Sequence, residues 1–429
     1  MKHFSMIIAA ICILALVCCA SNPSLPLGAT PTAPGILGPA GSDPTVAVNI
    51  QTGTRYAAWI RPGKDSTQVV VARSDDGQNF TDPVVVSGGD TDIVSATVSP
   101  AQVAVGPNGE VYVLYERRVT SRIFEPGRGI PRLARSSDGG RSFEAAIDVA
   151  MADSVETSAE SPGLAVASNG ALIVAWLDHR EAFARAKLPE DQRPEDKRWL
   201  DSDDPEVEVR LSRSTDGGRN FGPSLLVAAG ASERSRIALE FSPDGRLYGA
   251  WRAKLNQFKG SYDAVRDALV AFSDDGGLSW SAPVKVHDDR FKAGDCPEIT
   301  LGMDTDSQGR LHVAWYSGSG IRPGIYYAVS EDRGLSFSKP LTVLADSWVP
   351  YADVKLAVDG SDQAWVAFED RRDGSGEHVV LTRIDPRGTP HQPRPWPGQA
   401  PDLAAHSDSV TLLWTAPDGA VQALQVAPE

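Results

Sequence analysis

The 429-residue chain is poor in cysteine: four in all, of which Cys12, Cys18 and Cys19 fall within the first nineteen residues. Only Cys296 lies beyond them, so no intrachain disulfide can brace the remainder, and a chain of this length needs none. Positive charge is scarce as well. Forty-one Lys and Arg against 56 Asp and Glu leave a formal net charge of −15, which argues against nucleic acid or an anionic membrane surface as the main partner. An anionic small ligand stays open, because local arginines can dominate a pocket. No P-loop, dinucleotide glycine motif, HExxH or paired CxxC occurs, so nothing calls for a nucleotide, a metal or another cofactor. Long apolar runs are missing except for residues 4–17 behind Lys2 and His3, a run too short to span a bilayer and shaped as an export leader.

Repetition is what the chain has in quantity. The segment Ser136-Ser137-Asp138-Gly139-Gly140-Arg141-Ser142-Phe143 recurs at 214–221, 273–280 and 330–337, with a weaker copy at 73–80 in which Arg73 replaces the first Ser. The pattern is Ser-x-Asp-x-Gly-x-x-Phe/Trp, and it describes a hairpin turn. Asp and Ser side chains bond to turn backbone, Gly supplies a positive dihedral, and the aromatic packs beneath. Ahead of each copy lies a second hairpin signal, an alternating run, a turn glycine and an apolar run ending in an aromatic: 45–59, 102–115, 163–176, 237–251, 299–315 and 354–368. Each unit reads as four antiparallel strands, a to d from the inside out, and such sheets repeated radially make an all-β propeller. Six units are plain. Residues 401–429 add three strand-like runs, and the N-terminal segment near Gly35 to Leu37 supplies a fourth, which predicts seven blades, with six as the alternative.

This signature is the Asp box, or BNR repeat, and the chain resembles the sialidase-like β-propellers. The likeness implies a fold over about residues 43–385 and, in the enzymes, a Tyr nucleophile assisted by Glu, an Asp acid/base and three arginines gripping the sugar carboxylate. By resemblance Tyr351, in Tyr-Ala-Asp-Val, is the nucleophile, Glu233 its base and Asp65 the acid/base. Arg252 and Arg322 stand at family-like spacings as carboxylate ligands, with Arg61, Arg180 and Arg372 as further substrate-binding residues at strand-b ends. A neutral phenol suits an anomeric carbon that already bears a carboxylate, and at pKa ~10 it needs a neighbouring base. The chain departs from the family where blade one opens: Ser42-Asp43-Pro44-Thr45 stands in place of Arg-Ile-Pro, an anion where the first cation belongs. That departure argues against ordinary sialidase activity and for a propeller that binds a glycan or protein ligand. The alternative is an exo-α-sialidase-type hydrolase.

A closer likeness is to bacterial BNR-repeat lipoproteins, carried by Cys296-Pro297-Glu298, by 309–315 and by the Leu16-Val17-Cys18-Cys19 end of the leader. It implies residues 1–19 as a lipoprotein signal with Cys19 lipidated, a Pro/Gly/Ser-rich tether over 20–42, and a propeller over 43–429. Cleavage after Ala20, giving a secreted protein, is the rival. The expected protein is a monomer in the cell envelope, at the outer membrane or periplasm, touching membrane through its anchor only. Two structural expectations complete the reading. The loops joining b to c and d to a converge on the face opposite the Asp boxes, where function belongs, and Trp-x-Asp-x-Arg at 176–180, with its counterpart at 370–372, reads as an ion pair between repeats. A soft-metal set of Cys296, Met303, His287 and His312 is the remaining metal candidate.

Overall fold

In a computed structural model, residues 34–38, 40–64, 66–121, 127–150, 155–192, 207–233, 235–255, 265–292, 301–319, 322–372, 374 and 376–428 are described. They form seven four-stranded antiparallel sheets. Blades one to six run in order from strand a to strand d, with inner strands Ser42–Val48, Gln102–Val105, Ala159–Val166, Ala238–Phe241, Leu301–Thr305 and Val354–Val358. The seventh blade takes three strands from the C-terminus, Gln399–His406, Ser409–Thr415 and Val421–Val426, and its outer strand Gly35–Gly38 from the N-terminal side. Gly35 to Gly38 therefore belong to the ring, ahead of the expected start at residue 43.

The strand-b sequences explain why the sheets stack. Each carries an aromatic at the same register (Trp59, Tyr115, Trp176, Trp251, Trp315, Phe368 and Trp414), and all seven are buried. The apolar residues on the two sides of each sheet feed different cores. Seven hydrophobic clusters result, each shared by two neighbouring blades, and the cluster joining Trp59 and Val46 to Leu413 and Val421 closes the ring. Burial is thus distributed around the ring instead of gathered in one core, which is how a chain this long stays one unit.

The Asp boxes behave as turn devices. In the second blade Ser136 Oγ accepts from Gly140 N at 2.9 Å, and Asp138 Oδ1 accepts from Arg141 N and Ser142 N at 3.0 Å each. Gly140 has φ +78° and faces the Tyr56 ring of the preceding blade. The weak first copy corrects the sequence reading. Its serine is not replaced, because Ser74 fills the position in a turn one residue shorter, with Gly77 N donating to Ser74 Oγ at 2.9 Å. The long third-blade loop holds the one α-helix among the described residues, Arg180–Ala186. No helix among them is long and apolar enough to cross a membrane.

Candidate functional site

Three inner strands open on the loop face with the same device. Asp43, Ser161 and Ala400 have φ of +49°, +52° and +52°, each precedes a proline, and each lies in a register shift against strand b. A residue before proline ordinarily prefers extended backbone, so something must hold these three. For two of them the holder is a buried glutamate in the second half of strand b of the preceding blade. Glu116 Oε2 accepts from Ser161 N at 3.1 Å and from Ser99 Oγ at 2.7 Å. Glu369 Oε1 accepts from Ala400 N at 2.8 Å. Burial, with Glu160 nearby, pushes the Glu116 carboxyl up to about 7. Burial, reinforced by Asp353, raises that of Glu369. These glutamates lock blade to blade.

Inside this collar lies an axial well of charged groups. Ser95 Oγ donates to Asp43 Oδ2 at 3.3 Å. Burial raises the Asp43 carboxyl, the two serines oppose that shift, and Asp353 adds to it. Lys355 Nζ donates to Asp353 Oδ2 at 2.7 Å, whereas Asp353 Oδ1 is buried without a partner. Asp402 Oδ2 accepts from Val46 N at 2.9 Å; burial raises it, while Lys355 and Arg236 pull it down. Below them a cavity of about 370 Å³ is lined by residues from all seven inner strands, including Arg236, Asp402, Glu240 and Asp304. A larger cavity of about 740 Å³ opens on the Asp-box face and shares Val48, Glu240 and Asp304 with the first. Burial pushes Asp304 up to about 6, and burial together with Asp304 raises Glu240 further. Two neighbouring carboxyls on the axis resist ionising together.

The residues singled out from sequence fall into distinct places. Tyr351 is exposed at 36 % on the loop from blade five to blade six. Its ring lies edge-on to Tyr316 and Phe291, with centroids 5.7 and 6.3 Å away. The Tyr316 hydroxyl donates to Val349 O at 2.8 Å, and burial, with Tyr351 near, pushes it up to about 12. Glu233 is buried and receives the Lys254 ammonium. Arg252, also buried, donates to the carbonyls of Arg266 (at 3.0 Å) and Tyr316, so its guanidinium joins blade four to blade five. Burial lowers its pKa to about 10. Arg322 is exposed beside Tyr326, whose hydroxyl donates to the Arg322 carbonyl at 2.6 Å. Among the described residues Arg61 reaches Gln68 Oε1, at 3.5 Å. Asp65 and Cys19 lie outside the described residues, as does Cys296.

The Trp-x-Asp-x-Arg expectation resolves into local brackets. Arg180 grips Asp178 through Nε–Oδ1 at 2.8 Å and Nη2–Oδ2 at 3.0 Å, and also reaches Ser224 in its own blade. Arg372 grips Asp370 in the same way and extends to Asp346 at 3.0 Å. The pairs are intra-repeat, and among the described residues the Asp346 contact reaches the preceding connection. Of the soft-metal set, His312 is engaged by Tyr327 and Asp306, and His287 Nδ1 by Asp289. Among the described residues no group of three or more His, Cys, Asp or Glu is arranged to hold a metal ion. Sequence reasoning missed Asp353, Lys355, Asp402, Arg236, Glu240 and Asp304. The available signal was a charged residue interrupting the apolar alternation of an inner strand, as in Val354-Lys355-Leu356.

No protein-family model matches the sequence, and neither does any curated protein. Solved structures do share the fold. An α-L-arabinanase of Penicillium chrysogenum complexed with arabinobiose aligns with a TM-score of 0.53 at 12 % identity, over 93 % of this chain and 99 % of that one. The Hadza microbial sialidase Hz136 gives 0.50 at 14 %, over 85 % and 74 %. A Dyadobacter fermentans protein of unknown function gives 0.50 at 14 %, over 93 % and 99 %. At these identities the likeness is one of fold: this chain is a sialidase-like propeller in architecture.

Proposed function

We propose that this protein is an extracytoplasmic propeller that binds a glycan in the axial well of its loop face, without ordinary sialidase turnover. The observation that carries this reading is where the charges go. Arg252 is spent on backbone carbonyls, and Arg180 and Arg372 on their own aspartates. The well meanwhile holds three carboxyls, Asp43, Asp353 and Asp402, around the two cations Lys355 and Arg236. A sugar carboxylate there would meet a surplus of carboxyls around one ammonium and one guanidinium, not the three-arginine fork that a sialidase needs. Rigid strands around a concave polar cavity suit a small hydroxylated ligand. Fold kinship with carbohydrate-active proteins supports the ligand class and nothing finer.

The envelope assignment belongs to the same proposal. The leader ending Leu16-Val17-Cys18-Cys19 supports a lipid on Cys19, and palmitate labelling that survives Cys19→Ala would remove it. The binding reading is tested with the purified ectodomain on a fluorogenic sialoside beside a glycan array. Glycan capture without turnover is expected. Turnover abolished by Tyr351→Phe would restore the hydrolase with Tyr351 and Glu233 as its pair, and an array on which nothing binds would point to a protein ligand.

A further inference from the structure

One arginine of the cavity below the collar stands apart from the brackets described so far. Arg236, just ahead of the inner strand of blade four, makes no hydrogen bond or ion pair among the described residues, and its Nη1 is buried without a partner. Arg180, Arg252 and Arg372, by contrast, are each held by a carboxylate or by carbonyls. Asp402 lines the same cavity of about 370 Å³ from blade seven. Blades four and seven stand three apart in the ring, as far as seven blades allow. The guanidinium therefore pulls the Asp402 carboxyl down across the cavity, without an ion pair between them. Asp402 Oδ2 takes Val46 N, and no hydrogen-bond donor among the described residues engages Oδ1. A donor fork and an acceptor thus face one space from opposite walls. Buried donors left open in a native fold are unusual, and a ligand or an ordered water is what ordinarily completes them.

We infer that Arg236 and Asp402 read a vicinal diol on the terminal ring of an uncharged sugar, Asp402 accepting from one hydroxyl and Arg236 donating to its neighbour. The inference rests on the glycan reading above and gives that site a substrate class and two specificity-determining residues. A hydroxyl both donates and accepts, so a diol answers the open groups on both walls at once. The same cavity carries Val48, Val103, Leu164 and Leu403, apolar surface against which the C–H face of the ring packs. Its volume lies at the small end of ordinary ligand cavities, which suits the end of a glycan and not its interior. A sugar acid is disfavoured, because Asp402, Glu240 and Asp304 share the lining with Arg236 as its one cation among the described residues. The carboxylate of such a sugar would enter a surplus of carboxyls.

The test titrates cellobiose, lactose, xylobiose and mannobiose into the ectodomain by calorimetry, with 3′-sialyllactose as the charged counterpart of lactose. At least one neutral disaccharide is expected to bind, and Arg236→Ala and Asp402→Asn should each weaken it about tenfold. Arg236 has no hydrogen-bonded partner to lose, so Arg236→Ala should leave the melting temperature in place. Should that variant fail to fold, Arg236→Lys decides instead, keeping the charge, losing the planar fork and weakening binding about fivefold. Asp402→Asn retains an oxygen for Val46 N. Monodeoxy derivatives of the best-bound sugar then separate reading from a merely structural role: the one lacking the hydroxyl held by Asp402 should lose nothing further in Asp402→Asn. Equal further losses for every derivative overturn the diol. Neutral binding unchanged in both variants means that water alone fills the gap; it overturns the inference and leaves the glycan reading standing. 3′-Sialyllactose bound more tightly than lactose, with the advantage gone in Arg236→Ala, overturns the uncharged class. Failure of every sugar, on the array as well, removes the glycan reading and this inference with it.

Discussion

Replacing Glu116 by Gln should stabilise the ring at alkaline pH and do nothing in acid. The native carboxyl keeps its proton up to about pH 7, because it is buried and faces Glu160. In the unfolded chain it ionises near its ordinary 4.5. Between those two values the folded state holds more protons than the unfolded state, so stability falls as pH rises from about 4.5 to about 7 and is level above. A difference of that size corresponds to about 3 kcal/mol, reduced by Arg118, whose Nη2 lies 3.8 Å from Oε1 and which gains nothing from a neutral amide. The Gln oxygen can take over both acceptor roles, toward Ser99 Oγ and Ser161 N, so the lock survives while the buried charge goes. With about 2 cal/mol/K of unfolding entropy per residue over roughly 390 residues, each kcal/mol is worth about 1 °C. Calorimetric melting from pH 4 to 9 should therefore show Glu116→Gln rising about 2–3 °C over the parent at pH 8 and coinciding with it at pH 4. Glu160→Gln should give part of the same effect by removing the repulsion. A Glu116→Gln protein that melts below the parent at pH 8, or by the same margin at every pH, would refute the argument.

Other expectations follow from contacts already described. A Cβ at Gly302 would sit 2.4 Å from Leu356 N and 2.6 Å from the Lys355 carbonyl carbon, so Gly302→Ala should cost about 3 kcal/mol in denaturant melts, while Gly89→Ala, with open space around it, should be near neutral. Arg252→Ala should lower stability by about 2–4 kcal/mol, since it strands two buried carbonyls between blades, yet leave the sugar affinity of the folded fraction unchanged; a selective loss of sugar binding at constant stability would return Arg252 to the ligand site. Asp43→Arg should raise binding of a sialoside by surface plasmon resonance, and no change would mean that the well does not meet the sugar's carboxylate.

The architecture was readable because it is written many times over. A turn signal that recurs five times needs no tertiary knowledge, and the aromatic closing each strand b repeats with it. The closing of the seventh blade was readable for the same reason, since three strand-like runs need a fourth. The site was less readable, because its charged groups are single residues set by ring geometry. Lys355 and Asp402 come from neighbouring blades and meet only once those blades pack, and Asp402 reaches Val46 of blade one only once the ring closes. Arg252 shows the converse: its spacing resembled a ligand position, and the fold puts its guanidinium on backbone carbonyls between two blades. Spacing along the sequence cannot report which side of a sheet the end of a long side chain will take.

The outer strand of the seventh blade also sets a direction in space. Because Gly35–Gly38 leads to the start of the first inner strand on the loop face, the chain comes into the ring from the opposite side, where Gly35 lies against the carbonyl of Gln78 in the first Asp box. Cys19 precedes Pro34 by fifteen residues (34 − 19 = 15), at most about 50 Å of chain. If the proposed lipid on Cys19 holds the molecule, it would be leashed by its Asp-box side, with the mouth of the well turned away from the bilayer.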